Sequence, residues 1–231
     1  MSRPDIPVIG IVGGIGSGKT TLATALNAYF PCCRLDADAV GHAVLRLPEV
    51  KSKLHTAFGD GIFTPAAADG APADAELFNN RDVIRSQLAA RVFGDAPEQK
   101  ATRNQLEQIV HPFIRAEILR QLQAFSQNPD CRLILLDAAL LLEAGWKDHC
   151  DAVIFLDVPY AERLRRVQSR GWSEAELQRR EASQWPLPRK RESSDLVLPQ
   201  AGSLQEAART LAEWLQQRFP QHLNPVPVSS C

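Results

Sequence analysis

The segment from Gly13 to Thr20 has the residue types and spacing of a phosphate-binding loop. It reads GGIGSGKT and fits the pattern G-x-x-x-x-G-K-[ST] without a mismatch. Glycines let backbone N–H groups converge on phosphate oxygens, and the helix that follows offers its unpaired N–H groups to the same anion. Lys19 is placed to reach the β and γ phosphates, and the Thr20 hydroxyl to ligate Mg²⁺. The predicted nucleotide contacts are therefore Gly14, Ile15, Gly16, Ser17, Gly18, Lys19, Thr20 and Thr21.

Two carboxylates, Asp36 and Asp38, lie where a second strand is expected to end. Ligands of parallel sheets bind at the carboxyl ends of the strands, and residues two apart on an extended segment point the same way. One carboxylate could accept the proton of an attacking hydroxyl while the other orients Mg²⁺ or its waters. The alternative is that Asp38 is the N-cap of the next helix, and both interpretations stay open.

Asp137 ends an apolar run that begins at Arg132. An acidic residue at the end of a buried strand beside a phosphate loop is a candidate for the outer coordination shell of Mg²⁺. The alternative role for this carboxylate is to cap a helix that follows the strand.

The segment from Arg163 to Arg191 is strongly basic, with nine Lys and Arg residues against three Glu residues. Arg166 and Arg170 are four residues apart and therefore share one face of a helix. Guanidinium groups match phosphate oxygens, so a helical lid closing over ATP would bring both arginines to the migrating phosphoryl group. The alternative is a solvated helical face with ion pairs to Glu162 or Glu174.

Short apolar runs alternate with helical patterns along the chain, which predicts an α/β fold with a parallel sheet covered on both faces. The predicted strands are residues 7–12, 132–136, 152–156 and 196–198. Helices are predicted over 20–29, 81–93 and 98–126, with Pro112 starting or kinking one of them. Residues 64–72 are rich in turn-forming residues and predict a surface loop.

The composition of the chain narrows the classes of protein that it can be. It has 231 residues, 45% hydrophobic and 23% charged, which predicts one globular domain. The net charge of −1 disfavours a protein that coats nucleic acid, and no apolar run is long enough to span a membrane. The amino-terminus lacks the order of a signal peptide, and the five cysteines show no pairing pattern, so we expect reduced thiols in a cytoplasmic protein. The histidines have no metal-ligand spacing, and no structural metal is predicted.

Phosphate loops occur in several classes of nucleotide-binding protein, so the class must come from other residues. A GTPase needs a guanine-reading Asn-Lys-x-Asp, and the nearest string, residues 79–82, has no lysine. A dinucleotide-binding fold does not explain Gly18, Lys19 and Thr20. Large motor ATPases need a longer chain. The sequence therefore favours a small-molecule kinase.

Six motifs occur in a fixed order between Ile9 and about Trp214. They are Gly13 to Thr20; Leu35-Asp36-Ala37-Asp38; Ile84 to Phe93; Ile109-Val110-His111-Pro112-Phe113-Ile114-Arg115; Leu140-Leu141-Leu142-Glu143; and Arg166, Arg170 and Gln184. This ordered set resembles the dephospho-CoA kinase family. The chain departs from the family's pattern in three places: Thr20 replaces serine, Ala138-Ala139 replaces Val-Pro, and residues 199–203 replace the Asp-Asn-x-Gly-Ser expected near adenine.

The resemblance implies transfer of the ATP γ-phosphoryl group to the 3′-hydroxyl of the dephospho-CoA ribose. Asp38 would be the catalytic base, and Asp36 would assist it. Lys19 would neutralise phosphate charge, while Thr20 would hold Mg²⁺ with Asp137 in its outer shell.

The resemblance also places the lid and the acceptor contacts. Arg166 and Arg170 would act from the lid, and Arg85 and His111 would help to bind the acceptor. His111 lies among apolar residues, so a hydrogen-bonded packing role is the alternative for it.

The implied fold is the three-layer fold of P-loop NTPases in a single domain. Its predicted parts are a core of about residues 6–37, 131–160 and 195–218, a helical acceptor-binding region of about 38–130 and a helical lid of about 161–192. The implied ligands are ATP, Mg²⁺ and dephospho-CoA, with no nucleic-acid or membrane partner, in a monomer or weak homo-oligomer. The alternatives are another P-loop nucleoside or small-molecule kinase and a non-catalytic ATP-binding sensor.

Overall fold

The structure is a computed structural model that describes residues 6–65, 81–92, 96–199 and 203–223. It divides into two compact units. The first consists of Met1–Asp36 and Arg120–Cys231 and contains the sheet, and the second, Ala37–Leu119, is helical. The assignment of an acceptor-binding region and a lid stays a prediction.

Five strands form one parallel sheet in the order β2-β3-β1-β4-β5. The strands are β1 (Val8–Gly13), β2 (Cys32–Asp36), β3 (Leu133–Asp137), β4 (Ala152–Asp157) and β5 (Leu196–Pro199). The predicted α/β class and strands are confirmed. Because the strands are parallel, their carboxyl ends lie at one edge of the sheet, where the register places Asp36 opposite Asp137.

Ten α-helices connect and flank the strands in the described residues. They are α1 (Lys19–Ala25), α2 (Ala37–Val44), α3 (Pro48–Phe58), α4 (Arg85–Val92), α5 (Pro97–Ser126), α6 (Tyr160–Gln168), α7 (Glu174–Ala182), α8 (Leu187–Glu192), α9 (Leu204–Arg218) and α10 (Pro220–Leu223). The predicted helix over 98–126 is confirmed as α5. Of the predicted helix over 81–93, residues 85–92 form α4, residues 81–84 are not helical and residue 93 lies outside the described residues. Pro112 lies inside α5, so the expectation that it starts a helix is wrong. Of the predicted loop over 64–72, residues 66–72 lie outside the described residues.

Helices α1 and α9 cover one face of the sheet. Alternate strand residues such as Ile9 and Ile11 point to this face and are fully buried with Leu22 of α1 and Leu211 of α9. Helix α9 begins with a capping box, in which the Ser203 hydroxyl accepts from the amide of the third helical residue and the side chain of that residue accepts from the Ser203 amide. The cap fixes the start of the helix whose apolar face completes this side of the core.

The opposite face of the sheet is also buried, as the continuous apolar runs predict. Val8 and Val12 of β1 point to this face with Ile134 of β3. Gly10 between them has no room for a side chain, because a Cβ would lie 2.8 Å from Leu141 Cδ1. The segment that follows β3 therefore packs directly on the backbone of the central strand.

Within the helical unit, the segment that precedes α4 is hydrogen-bonded to the segment that follows α3. Arg81 donates to the Asp60 carboxylate at 2.8 Å and to the Thr64 carbonyl oxygen at 2.6 Å. The hydrogen bond from Arg81 is the main reason that the pKa of Asp60 lies below its usual value. Phe63 and Val83 form an antiparallel bridge at the same place.

A disulfide joins Cys33 in β2 to Cys131 just before β3, with the two Cα atoms 5.7 Å apart. The expectation that all five cysteines are reduced thiols is therefore wrong for this pair. Two strands next to each other in the sheet begin close together, which brings these residues within reach although 98 positions separate them. Cys32 keeps its thiol, and burial raises its pKa to about 12, so it is unreactive at neutral pH.

Replacing the fully buried Leu211 of α9 with alanine should lower the free energy of unfolding by about 2–5 kcal/mol, because the truncation removes apolar contacts and leaves a cavity. Urea denaturation measures the loss. The matched control is Leu140→Ala at an exposed leucine, which should change the same quantity by less than about 0.5 kcal/mol. Equal losses for the two variants would contradict the packing of α9 on the sheet.

Candidate active site

The phosphate loop connects β1 to α1 and takes a backbone path that requires glycine. Gly16 and Gly18 have φ angles of 78° and 91°, in the left-handed region that other residues rarely adopt. Gly18 is the N-cap of α1, so the first helical turn begins directly at the end of the loop. This arrangement is suited to binding an anion.

Lys19 is the first residue of α1, and its side chain folds back along the loop. Its ammonium Nζ donates to the carbonyl oxygens of Gly13 at 3.4 Å and Gly14 at 3.3 Å. The positive charge therefore lies beside the loop backbone. Thr21, the last of the predicted nucleotide contacts, is exposed on α1.

Thr20 and Asp137 meet at the carboxyl ends of β1 and β3. The Thr20 hydroxyl donates to Asp137 Oδ2 at 2.9 Å, and only 8% of Asp137 is exposed. The segment that follows β3 consists of turns as far as Gly145, so the alternative that Asp137 caps a helix is wrong. The two residues predicted to lie around Mg²⁺ are therefore in direct contact with each other, while their role toward the ion stays a prediction.

Arg34 of β2 connects the carboxylates of two strands, a role that the sequence did not predict. Its Nε donates to Asp137 Oδ2 at 3.2 Å, and its Nη2 donates to Asp36 Oδ2 at 2.6 Å. Asp36 and Asp137 are register partners on adjacent strands, so their charges would repel each other without this guanidinium. The signal in the sequence is an arginine two residues before Asp36 on the same strand.

The oxygen donors at this point fit Mg²⁺. The Thr20 hydroxyl and the Asp137 carboxylate are hard oxygen ligands, which Mg²⁺ prefers together with water and substrate phosphates. Within the described ranges, no three His, Cys, Asp or Glu side chains gather into a metal-binding group. The arrangement therefore fits a cation that arrives with a nucleotide and takes one or two protein oxygens.

Arg166 contacts both the phosphate loop and an acidic partner. Its Nη1 donates to the carbonyl oxygens of Ser17 at 2.9 Å and Gly16 at 3.4 Å, and its Nε donates to Glu162 at 2.9 Å. The ion pair with Glu162, which was the alternative for this arginine, is present together with the loop contact. Hydrogen bonds from Arg165 and then Arg166 lower the pKa of Glu162 to about 2, so the carboxylate stays charged at neutral pH.

Arg170, predicted to act with Arg166, is not brought to the loop. It is exposed beyond the end of α6, and its side chain has no hydrogen bond or ion pair with any residue that the structure describes. The two arginines are four residues apart, but α6 ends at Gln168 and only Arg166 lies on the helix. The shared helix face expected for them is wrong.

A second arginine of α6, not singled out in the sequence, is the one most buried against the loop. Only 3% of Arg163 is exposed, and it forms an ion pair with Glu181 of α7. Glu181 Oε1 also accepts a hydrogen bond from the Ile15 amide at 3.2 Å. Arg163 and Glu181 both lie in the basic segment from Arg163 to Arg191. Nothing in the sequence distinguishes them from the exposed charged residues of that segment.

A buried ion pair also joins the segment after β3 to α8. Lys190 is 1% exposed, and its ammonium lies 2.9 Å from Glu143 Oε1 and 2.9 Å from Gln184 Oε1. The Trp185 amide donates to the same Glu143 oxygen at 2.7 Å. Glu143 and Gln184 belong to the motifs of the sequence analysis, whereas Lys190 was counted only as a basic residue.

Asp38 lies in the first turn of α2, immediately after Asp36 ends β2. The premise that both carboxylates lie on one extended segment is therefore wrong. Because α2 begins at Ala37, the alternative that Asp38 is its N-cap is wrong as well. An acidic residue in the first turn of a helix interacts favourably with the helix dipole, which is consistent with the position of Asp38 in α2.

Arg85 and His111, the predicted acceptor contacts, both lie in the helical unit. Arg85 is the exposed first residue of α4, and His111 is exposed on α5, so a packing role for His111 is wrong. The next two residues, Pro112 and Phe113, line a groove of about 650 Å³ between α3 and α5.

Comparisons with known proteins identify the family. The model of the dephospho-CoA kinase family, CoaE, matches residues 7–206. The chain belongs to the dephospho-CoA kinase family. A dephospho-CoA kinase of Rhodopirellula baltica is 36% identical over 206 residues, which are 89% of this chain and 88% of that protein. The family prediction is confirmed.

Solved structures share the fold of this chain. The crystal structure of TT1252 from Thermus thermophilus is 31% identical, with a TM-score of 0.70 over 92% of this chain and 97% of that chain. A dephospho-CoA kinase from Campylobacter jejuni is 21% identical, with a TM-score of 0.50 over 91% of this chain and 96% of that chain, and it supports the fold alone.

Dephospho-CoA kinases phosphorylate dephospho-CoA to coenzyme A in the last step of its synthesis. The predicted enzyme class, a P-loop kinase and transferase that uses ATP, is confirmed by membership of the family. No helix in the described part of the chain combines the length and the apolar character needed to cross a bilayer.

Replacing Thr20 with valine should lower kcat by about 100-fold, because the isosteric side chain has no hydroxyl for Mg²⁺ or for Asp137. Thr20→Ser, which restores the hydroxyl and the usual residue of the family, should keep most of the activity. Phosphorylation of dephospho-CoA across a Mg²⁺ titration measures both variants. Equal rates for the valine and serine variants would contradict a role for the hydroxyl.

Proposed function

We propose that this chain transfers the γ-phosphoryl group of ATP to the 3′-hydroxyl of dephospho-CoA, giving coenzyme A and ADP. The observation that carries the proposal is the 2.9 Å hydrogen bond between Thr20 and Asp137 beside a complete phosphate loop. This contact joins the nucleotide-binding residues to the end of the neighbouring strand. In a member of the dephospho-CoA kinase family, it supports phosphoryl transfer over nucleotide binding alone.

The phosphate loop and α1 bind the donor. Backbone N–H groups between Gly14 and Thr21 bind the β and γ phosphates, and the Lys19 ammonium neutralises their charge. The Thr20 hydroxyl would hold Mg²⁺, with Asp137 in its outer coordination shell. Mg²⁺ would supply positive charge that stabilises the negative charge of the transition state.

Arg34 keeps the two strand-end carboxylates in place during the reaction. Its hydrogen bonds to Asp36 and Asp137 hold the two groups apart in fixed orientations. A preorganised charge arrangement costs no rearrangement when phosphate charge shifts in the transition state.

Asp38 is the base, with Asp36 assisting it. The acceptor O3′ attacks the γ-phosphorus, its proton passes to the Asp38 carboxylate, and the bond from the γ-phosphorus to the bridging oxygen breaks to release ADP. Arg85 and His111 bind the acceptor through positive charge and hydrogen bonds. The exposed positions of Asp38, Arg85 and His111 on their helices are consistent with contact to a substrate.

The helical segment of about residues 161–192 acts as the lid. Arg166 moves from the loop carbonyl oxygens to the γ-phosphoryl group, and Arg170 joins it from its exposed position. Guanidinium groups placed in this way compensate the charge on the transferring phosphoryl oxygens.

The remaining expectations concern the surroundings of the enzyme. The near-neutral charge supports a protein without a nucleic-acid partner. A cytoplasmic location, the lack of a membrane partner and a monomer or weak homo-oligomer stay predictions. Of residues 199–203, which are expected near adenine, residues 200–202 lie outside the described residues.

Asp38→Asn should lower kcat by about 10²- to 10⁴-fold, because the amide cannot accept the proton of the 3′-hydroxyl, while the affinity for ATP stays unchanged. Mass spectrometry of the product and calorimetric binding of ATP measure the two effects. The matched control is Asp130→Asn, the same change at an exposed aspartate in a turn, which should leave both quantities unchanged. Full activity of Asp38→Asn would overturn the assignment of the base, whereas ATP binding by the native chain without coenzyme A formation would favour an ATP sensor.

A further inference from the structure

Gly14 has no room for a side chain, and one residue of α6 is the reason. A Cβ at Gly14 would lie 2.7 Å from Cζ, 2.7 Å from Nη1 and 2.8 Å from Cδ of Arg163. These distances are shorter than any normal contact between such atoms. Gly14 is not among the glycines with positive φ, so its backbone conformation is open to alanine.

The Arg163 side chain is held in place and cannot move aside to make room. Its Nε donates to the Val158 carbonyl oxygen at 3.2 Å, and its Nη1 lies 3.5 Å from the Ile15 carbonyl oxygen and forms the ion pair with Glu181. A buried guanidinium that left these partners would be uncompensated.

Glu181 completes the contact between the helices and the loop. Its carboxylate accepts a hydrogen bond from the Ile15 amide at 3.2 Å and pairs with Arg163 at the same time. Both backbone groups of Ile15 are thus bound by one ion pair between α6 and α7. Helices α6 and α7 therefore hold the first half of the phosphate loop in place through Ile15.

We propose that Arg163 is a positioning residue for the phosphate loop, and that Arg163, rather than bound phosphate, is what requires glycine at position 14. Through Glu181 and Ile15, Arg163 sets the position of the loop that binds ATP. The predicted change in the KM for MgATP rests on the proposed function, whereas the predicted change in the Kd for MgATP does not.

Gly16 provides the contrast. Its φ is 78°, and a Cβ there would lie 2.8 Å from the Arg163 carbonyl oxygen and 3.0 Å from Val167 Cγ1. The obstruction at Gly16 is backbone and a second side chain. Truncating the Arg163 side chain therefore relieves Gly14 but not Gly16.

The test is a set of double variants. Gly14→Ala alone should raise the Kd and KM for MgATP by about 10- to 100-fold, because the clash displaces the loop. In the Arg163→Ala background, adding Gly14→Ala should change both constants by no more than about twofold. Gly16→Ala should weaken ATP binding to the same extent in both backgrounds.

Arg163→Ala alone should raise the KM for MgATP and leave the KM for dephospho-CoA unchanged, a split that a general loss of stability would not produce. Arg179→Ala, at an arginine of α7 whose side chain is 75% exposed, is the matched control and should change neither constant. Where Arg163→Ala fails to fold, Arg163→Ala with Glu181→Gln serves as the background, because it leaves no unpaired, half-buried carboxylate.

Calorimetric binding of MgATP, with thermal unfolding of each variant, gives the decisive comparison. Equal damage from Gly14→Ala in the native and Arg163→Ala backgrounds would overturn the proposal, and so would native affinity for ATP in Gly14→Ala alone. If the native chain bound ATP but did not phosphorylate dephospho-CoA, the proposed function would fail while the binding comparison would still decide the role of Arg163.

Discussion

The hydrogen bond between the Thr20 hydroxyl and the Asp137 carboxylate is the contact on which the arrangement of the active site depends. It connects the start of α1 to the end of β3 over 2.9 Å, and β3 pairs in parallel with β1, the strand that leads into the phosphate loop. Arg34 on the next strand donates to the same carboxylate oxygen. Helix α1 and strands β2 and β3 therefore meet at one oxygen atom of a buried side chain, and a shift of any of them would alter the place where Mg²⁺ is proposed to bind.

The phosphate loop is held on its other side by the helical segment. Arg166 donates to two of its carbonyl oxygens, and Arg163 with Glu181 binds Ile15. The loop thus lies between the sheet and two arginines of α6. Phosphoryl transfer requires mainly fixed charges and fixed distances, and this double attachment supplies both before a substrate binds. The contacts of Arg166 also place the proposed lid next to the loop that is proposed to bind the nucleotide.

The strands and the phosphate loop were predictable because their signals are local: unbroken apolar runs for buried parallel strands, and glycines at set spacing before a lysine and a threonine. The roles of Arg34 and Arg163 were not, because they depend on contacts with residues more than 100 positions away along the chain. The helical position of Asp38 was missed because the pattern of two aspartates two residues apart is compatible both with a continuing strand and with the start of a helix. Arg170 failed as a helix-face prediction because the helix ends two residues before it.

The most direct test of the account is the reaction of the native chain with MgATP and a panel of acceptors that contains dephospho-CoA, adenosine, a nucleoside monophosphate and shikimate. We predict that only dephospho-CoA gains a phosphoryl group, that the product is coenzyme A carrying it on the ribose 3′-oxygen, and that removal of Mg²⁺ stops the reaction. Phosphorylation of another acceptor in preference to dephospho-CoA, or of dephospho-CoA at a different oxygen, would contradict it.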